Sequence, residues 1–306
     1  MNIIFCAYAY KQKFKSGHNL QTDDIENIYL KNSYVALRSS KYFNPDTEVA
    51  FVTNLELSFF WKKKFELSGI SIITLDYNSF VFDEEYSWSL AFYKLCALKY
   101  VSSLEYDNIV LLDTDTYTQR TFADIWIECE NNILLYDISR GIYNEDYRKF
   151  CEEAQFFLNT KEYLTRWGGE FIAGNKLALR EYVNCCEEIY LLMKEKKFIT
   201  INGDEFIESI AAKKMKTQIK NGSAYVFRYW TAYNWHYVCS NYCSNPVCVL
   251  HCPREKEHGF IKIYNYINKY NKLPKPKKVY RILNLSFWSY IRIEIIKRIL
   301  DFIRLF

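Results

Sequence analysis

Glycine and proline are scarce in this chain, nine and five residues respectively among 306. That scarcity excludes collagen-like, low-complexity and loop-dominated secreted scaffolds, which depend on residues that adopt unusual φ values or fix φ. No stretch supplies about 18 uninterrupted apolar residues, so no membrane-spanning helix is expected. The opening MNIIFCAYAY lacks the basic segment and the apolar run of a signal peptide, which points to a cytoplasmic protein. A broad basic excess is missing too. The net charge of +4 is spread along the chain until its C-terminal segment, so nucleic acid is not an expected partner, whereas a phosphorylated ligand is.

Apolar and aromatic residues are abundant. Half of the residues are apolar, and the 27 tyrosines, 22 phenylalanines and 7 tryptophans allow a sizeable core as well as aromatic ligand surfaces. The ten cysteines, in a cytoplasmic chain, read as reduced, partly buried small apolar residues. Cys239, Cys243, Cys248 and Cys252 could hold zinc, but their C-x3-C-x4-C-x3-C spacing departs from the usual C-x2-C, and zinc is not favoured.

Hydrophobic patterning predicts alternating strands and helices. NIIFCAYA (2–9), TEVAFVTN (47–54) and SIITLDY (71–77) read as strands, with helices over 18–42 and 57–69 between them. A helix over 87–104 precedes the apolar strand 108–112. NNILLYDI (131–138) reads as a further strand, 143–164 as helix, RWGGEFIAGNK (166–176) as a turn into a short strand, and 177–196 as helix. A turn at Asn202–Gly203 starts a helix near Asp204, and PVCVLHC (246–252) forms a late strand. Such alternation predicts an α/β fold with a mainly parallel sheet flanked by helices. KLPKPKK (272–278) reads as a linker closing a domain over 1–271, and 279–306 as a basic amphipathic helix. That last helix suits anionic lipid headgroups, or packing on the domain or on another subunit.

The strand 108–112 turns polar at Asp113-Thr114-Asp115. In open α/β sheets ligands bind beyond the carboxyl ends of the strands. Two carboxylates at i and i+2 there suit a hard divalent cation, Mg²⁺ or Mn²⁺, which would neutralise charge on a diphosphate. The bland alternative is a pair of carboxylates capping a turn.

The succession NIIFCAYA, AFVTN, a helix carrying Lys94, YDNIVLLDTDTYTQRTFADIW, WGGEFIAGNK, NGDEFI and VLH resembles the GT-A glycosyltransferases, especially the glycogenin-like and lipopolysaccharide galactosyltransferase-like (family 8-like) group. The resemblance spans roughly residues 1–260. It implies that Asp113 and Asp115 bind Mn²⁺ with His251 as third ligand, although CPREKEHGFIK follows the histidine in place of the family's pattern, leaving His258 as a competing ligand. It also implies that Ala7, Tyr8 and Asn54 face the nucleoside, and that Lys94, Thr114 and Lys256 (or Lys262) serve the donor. Gly168–Gly169 would bring backbone near the sugar, with Glu170 or Asp204 at its hydroxyls or anomeric carbon. Asp204 reads equally as a helix N-cap. The implied activity is retaining transfer from a nucleotide-sugar, UDP-linked by expectation, to a glycan or lipid-linked acceptor. The expected setting is bacterial surface-polysaccharide synthesis at the inner face of the cell membrane, with homo-oligomerisation open. Two rival readings stand beside it. A sugar-nucleotide nucleotidyltransferase would need a Gly-rich loop after the first strand, where only Gly17 stands; the other is an inactive membrane-associated binding module.

Overall fold

The computed structural model describes residues 1–11, 24–229, 231 and 247–286, with 295–296, 298–299 and 302–303. Its first half runs β1 (Ile3–Tyr8), α1 (Ile25–Phe43), β2 (Glu48–Thr53), α2 (Phe59–Glu66), β3 (Ser71–Thr74), α3 (Tyr93–Ser103), β4 (Asn108–Leu112), β5 (Thr116–Thr118), α4 (Ala123–Cys129) and β6 (Asn132–Asp137). The second half runs α5 (Glu145–Leu158), β7 (Trp167–Asn175), α6 (Lys176–Glu195), α7 (Asp204–Lys214), β8 (Gln218–Asn221), β9 (Val226–Arg228), β10 (Val249–His251), α8 (Gly259–Tyr270) and α9 (Pro276–Ile282).

Seven strands form the main sheet in the order β3-β2-β1-β4-β7-β6-β8. Pairing is parallel except at β7, which runs antiparallel to β4 and β6. Both faces are buried, which explains why the central strands read as unbroken apolar runs. Ile3 and Phe5 of β1, Ile109 and Leu111 of β4, and Ala50 and Val52 of β2 enter one core with α3, α5, α6 and α7. Their neighbours Ile4, Cys6, Val110, Leu112, Val49 and Phe51 enter a second core with α1, α2, α4 and α8. Alternation along a strand thus divides one sequence between two layers.

A second sheet, β5-β10-β9, lies beyond the carboxyl end of β4. β10 is antiparallel to β5, with His251 opposite Thr116, and parallel to β9, with His251 beside Arg228. These three-residue strands carry too little periodicity to read from sequence, and only β10 falls within a predicted strand.

Several boundaries differ from expectation. The helix predicted from Ser87 begins at Tyr93, after a chain of turns. The strand around Gly168 spans nine residues rather than being short. Helix α9 begins at Pro276, inside the stretch expected to be a linker, because proline at the first helical turn lacks only a donor that would have no partner there. Val279 and Leu283 then join the second core. Among the described residues no helix is long and apolar enough to cross a membrane. The eight described cysteines are free, and all but Cys185 are buried; Cys239 and Cys243 lie outside the described residues, as does most of the chain beyond 286.

Candidate functional site

The Asp113-Thr114-Asp115 turn is held on three sides by backbone. Leu112 pairs with Phe171, and the Asp113 amide donates to the Glu170 carbonyl at 3.0 Å. The Thr116 hydroxyl donates back to the Asp113 carbonyl at 2.7 Å, and the Cys252 amide donates to the Asp115 carbonyl at 3.1 Å. The pairing of β10 on β5 therefore sets His251 directly against the triplet.

His251 Nε2 lies 3.2 Å from Asp115 Oδ2 and 3.9 Å from Asp113 Oδ2. One ligand atom from each of the three residues falls within 4.8 Å of the others. A cation about 2.1 Å from each donor needs donors no more than about 4.2 Å apart, so small side-chain adjustments close the cluster on an ion. Two carboxylates and an imidazole are an appropriate set for Mn²⁺ or Mg²⁺. The fit makes a divalent-cation site here chemically coherent.

Behind the cluster, Glu170 is completely buried, with His251 Nδ1 at 3.3 Å from its Oε1. Arg228 clamps the same carboxylate in bidentate fashion, Nε to Oε1 at 2.6 Å and Nη2 to Oε2 at 2.5 Å, and its Nη2 also reaches Glu205 at 3.1 Å. Burial opposes ionisation of Glu170, but Arg228 and His251 outweigh it and hold the carboxyl well below the usual range. Burial likewise opposes a charged Asp115, and Lys256 Nζ at 3.2 Å together with His251 keeps it ionised. Burial alone would depress His251; Asp115 and Glu170 instead raise it to about 9.

Asp113, Asp115, His251, Arg228 and Glu205 border a cavity of about 370 Å³, lined also by Ala7, Tyr8, Lys94, Thr114, Asp204 and Lys256. Lys94 Nζ bridges Asp113 Oδ1 (3.1 Å), the Gly169 carbonyl (2.9 Å) and Asp204 Oδ2 (2.7 Å). Burial opposes its charge, but Asp113, Asp204 and Glu208 overcome that and raise it well above the ordinary lysine value. Beneath this junction Glu208 is fully buried with no hydrogen-bond partner on either carboxyl oxygen, and burial together with nearby Asp204 pushes its carboxyl well above the usual range. Gly169 leaves room for this junction, since a Cβ there would come within 2.6 Å of both Lys94 Nζ and Asp204 Oδ2 and would displace them. Tyr8 stacks on Tyr29, ring centroids 4.7 Å apart and planes 6° from parallel.

Most expected residues thus converge on one cavity, with corrections. Glu170 does not line it: a β-bulge where β7 passes β6 between Leu135 and Tyr136 breaks strand alternation and aims this side chain at the small sheet. Asn54 does not line it either, because its amide is spent on the Tyr10 backbone, accepting from N at 2.9 Å and donating to O at 3.0 Å. Tyr8 gives one ring face to Tyr29 and so has less free surface for a base than expected. Gly168 makes room for the Glu170–Arg228 pair rather than for a ligand. Asp204 is the first residue of α7, with Gly203 at the cap in a positive-φ conformation, so it does not cap the helix. Lys262 is exposed on α8 and absent from the cavity, and His258 lines it outside the three-residue metal cluster. Arg228, Tyr29, Glu205 and Trp88 also line the cavity and were not foreseen. Arg228 sits on a three-residue strand with no motif around it, and Tyr29 reads only as a core position of α1.

Strand order, the antiparallel β7 and the carboxylate turn after β4 together define a GT-A glycosyltransferase fold. Among solved structures the chain is similar to mouse xyloside xylosyltransferase 1 in its apo form, with a TM-score of 0.54 and 13% identity over 82% of this chain and 97% of that one. At that identity the likeness carries the fold and does not reach the glycogenin-like, family 8-like subgroup that the motifs suggested. No protein-family model and no curated protein matches the sequence.

Proposed function

We propose that the chain is a metal-dependent glycosyltransferase that moves a sugar from a nucleoside diphosphate donor, UDP-linked by preference, to a glycan or lipid-linked acceptor with retention. The observation that carries this reading is the meeting of the Asp113-Asp115-His251 cluster with two ammonium groups, Lys94 and Lys256, in one cavity beyond the carboxyl ends of β1 and β4. A site of paired carboxylates and flanking cations suits an anionic ligand bound through a divalent ion.

Asp113, Asp115 and His251 would hold Mn²⁺ or Mg²⁺, which when bound supplies positive charge to the diphosphate as it departs. Lys256, fixed on Asp115, adds charge beside it, and Thr114 lies between the two carboxylates. Ala7 and Tyr8 border the end where a nucleoside would lie. Asp204 and Lys94 face the sugar. In the transfer, an acceptor hydroxyl oxygen bonds to the anomeric carbon while the bond from that carbon to the diphosphate oxygen breaks. The electron pair leaves with the nucleoside diphosphate, whose phosphate takes the hydroxyl proton. Glu170 acts on this chemistry only by orienting His251, whose other ring nitrogen faces the metal ligands. The spacing of the exposed residues Ile295, Ile296, Ile299, Phe302 and Ile303 gives one apolar helical face, the surface we assign to a peripheral membrane contact for a lipid-linked acceptor.

The test is release of nucleoside diphosphate from UDP-, GDP- and CMP-sugars with and without Mn²⁺. Turnover of one donor that needs the cation, lost in folded Asp113→Ala and Asp115→Ala chains, is expected. Metal-independent release, or none from any donor, would remove the assignment.

A further inference from the structure

Beside the cavity just described lies a second, of about 250 Å³, bounded by Trp88, Arg166, Ile201, Asn202, Glu205 and others. The two share Trp88, Asp204, Glu205 and Arg228, so they meet along one seam. Resting on the donor reading above, we infer that this second cavity is the acceptor site and that it takes an uncharged saccharide.

Charge is the first argument. Three arginines line the cavity, Arg140, Arg166 and Arg228, against three acids, Asp146, Asp204 and Glu205. The charges at the seam are already matched: Arg166 donates from Nε (3.1 Å) and Nη2 (2.7 Å) to Glu205 Oε2, while Arg228 Nη2 reaches Glu205 Oε1 at 3.1 Å. An anionic ligand would have to compete with those pairs. Neutral hydroxyls instead find fixed donors and acceptors whose remaining lone pairs and N–H groups stay available. This contrasts with the neighbouring cavity, where Lys256 and the metal ligands suit a diphosphate.

Shape is the second. Trp88 is only partly buried and borders both cavities. It is backed by Gly203, held at φ +62°, where an added Cβ would touch the indole at 3.3 Å. A partly exposed, rigidly backed indole beside paired polar groups is the surface on which the C–H face of a sugar ring packs. From that platform an acceptor hydroxyl reaches the seam at Asp204, where the donor sugar would lie.

Binding of methyl glycosides and of glucuronic acid to the full chain, with UDP and Mg²⁺ present, tests the inference by saturation-transfer NMR. UDP affinity is measured on the same preparations by calorimetry. The neutral glycosides should bind in preference to the uronate. Their dissociation constants should rise about ten-fold in Trp88→Ala, relative to any change for UDP, and also in Ile201→Trp, which adds bulk to the second cavity alone. Unchanged glycoside binding in both variants while UDP still binds would overturn the acceptor assignment and leave the donor reading standing. Preference for the uronate would overturn the neutral class. Failure of UDP to bind the native chain with Mg²⁺ or Mn²⁺ would remove the donor reading and this inference with it.

Discussion

In the proposed metal site, proton and cation compete for His251. In the metal-free chain burial would lower this imidazole, yet Asp115 and Glu170 raise it to about 9, so it is protonated near neutrality. A histidine must be neutral to ligate a metal, and each bound cation therefore displaces one proton below that value. Apparent affinity should then climb about ten-fold per pH unit, and between roughly pH 6.5 and roughly pH 8.5 the gain is about 80-fold, between about 2 and 3 kcal/mol. Calorimetric Mn²⁺ titrations in oxygen-free buffers of contrasting ionisation heat measure both the affinity and the proton released. His251→Asn should bind more weakly with a flattened pH dependence. A flat pH profile for the native chain, with no proton released, would refute His251 as a ligand.

The same imidazole governs stability without metal. Its raised folded value stabilises the fold fully below the unfolded value of 6.5 and that contribution is lost as pH rises through about 9, so the urea midpoint of the chelator-treated chain should fall across this window. Glu170→Gln leaves the buried Arg228 guanidinium with Glu205 as its one charged partner at the clamp, and a loss of about 3–5 kcal/mol in urea unfolding is expected; an unchanged midpoint would show that the clamp does not support the fold. Gly169→Ala drives a Cβ onto Lys94 and Asp204, so it should cost about 1–3 kcal/mol and weaken UDP binding. If that variant binds UDP as the native chain does, the Lys94–Asp204 junction has no part in the donor site.

The central strands were legible because β1, β2 and β4 are buried on both faces and so appear as continuous apolar runs. The position of the Asp113–Asp115 pair was legible for a related reason: the abrupt polar switch at Asp113 marks the carboxyl end of its strand, the place where open α/β sheets bind ligands. Strand direction was not, since WGGEFIAGN reads the same whichever way β7 runs, and its pairing is set by where α5 returns the chain. The bulge that turns Glu170 away from the cavity breaks alternation through a partner strand far off in sequence. Asn54 stands at the end of β2 as expected, but its side chain closes on the Tyr10 backbone, a local contact that strand patterning does not reveal. Arg228 and His251 meet Glu170 only because β9 and β10 pair, and three-residue strands carry no periodic signal.

The most direct test of the account is anomalous diffraction from crystals of the full chain grown with Mn²⁺ and UDP. One manganese peak bonded to Asp113, Asp115 and His251, with the UDP diphosphate against it and near Lys256, is the expected result. A peak elsewhere, or UDP bound with no metal at this cluster, would contradict it.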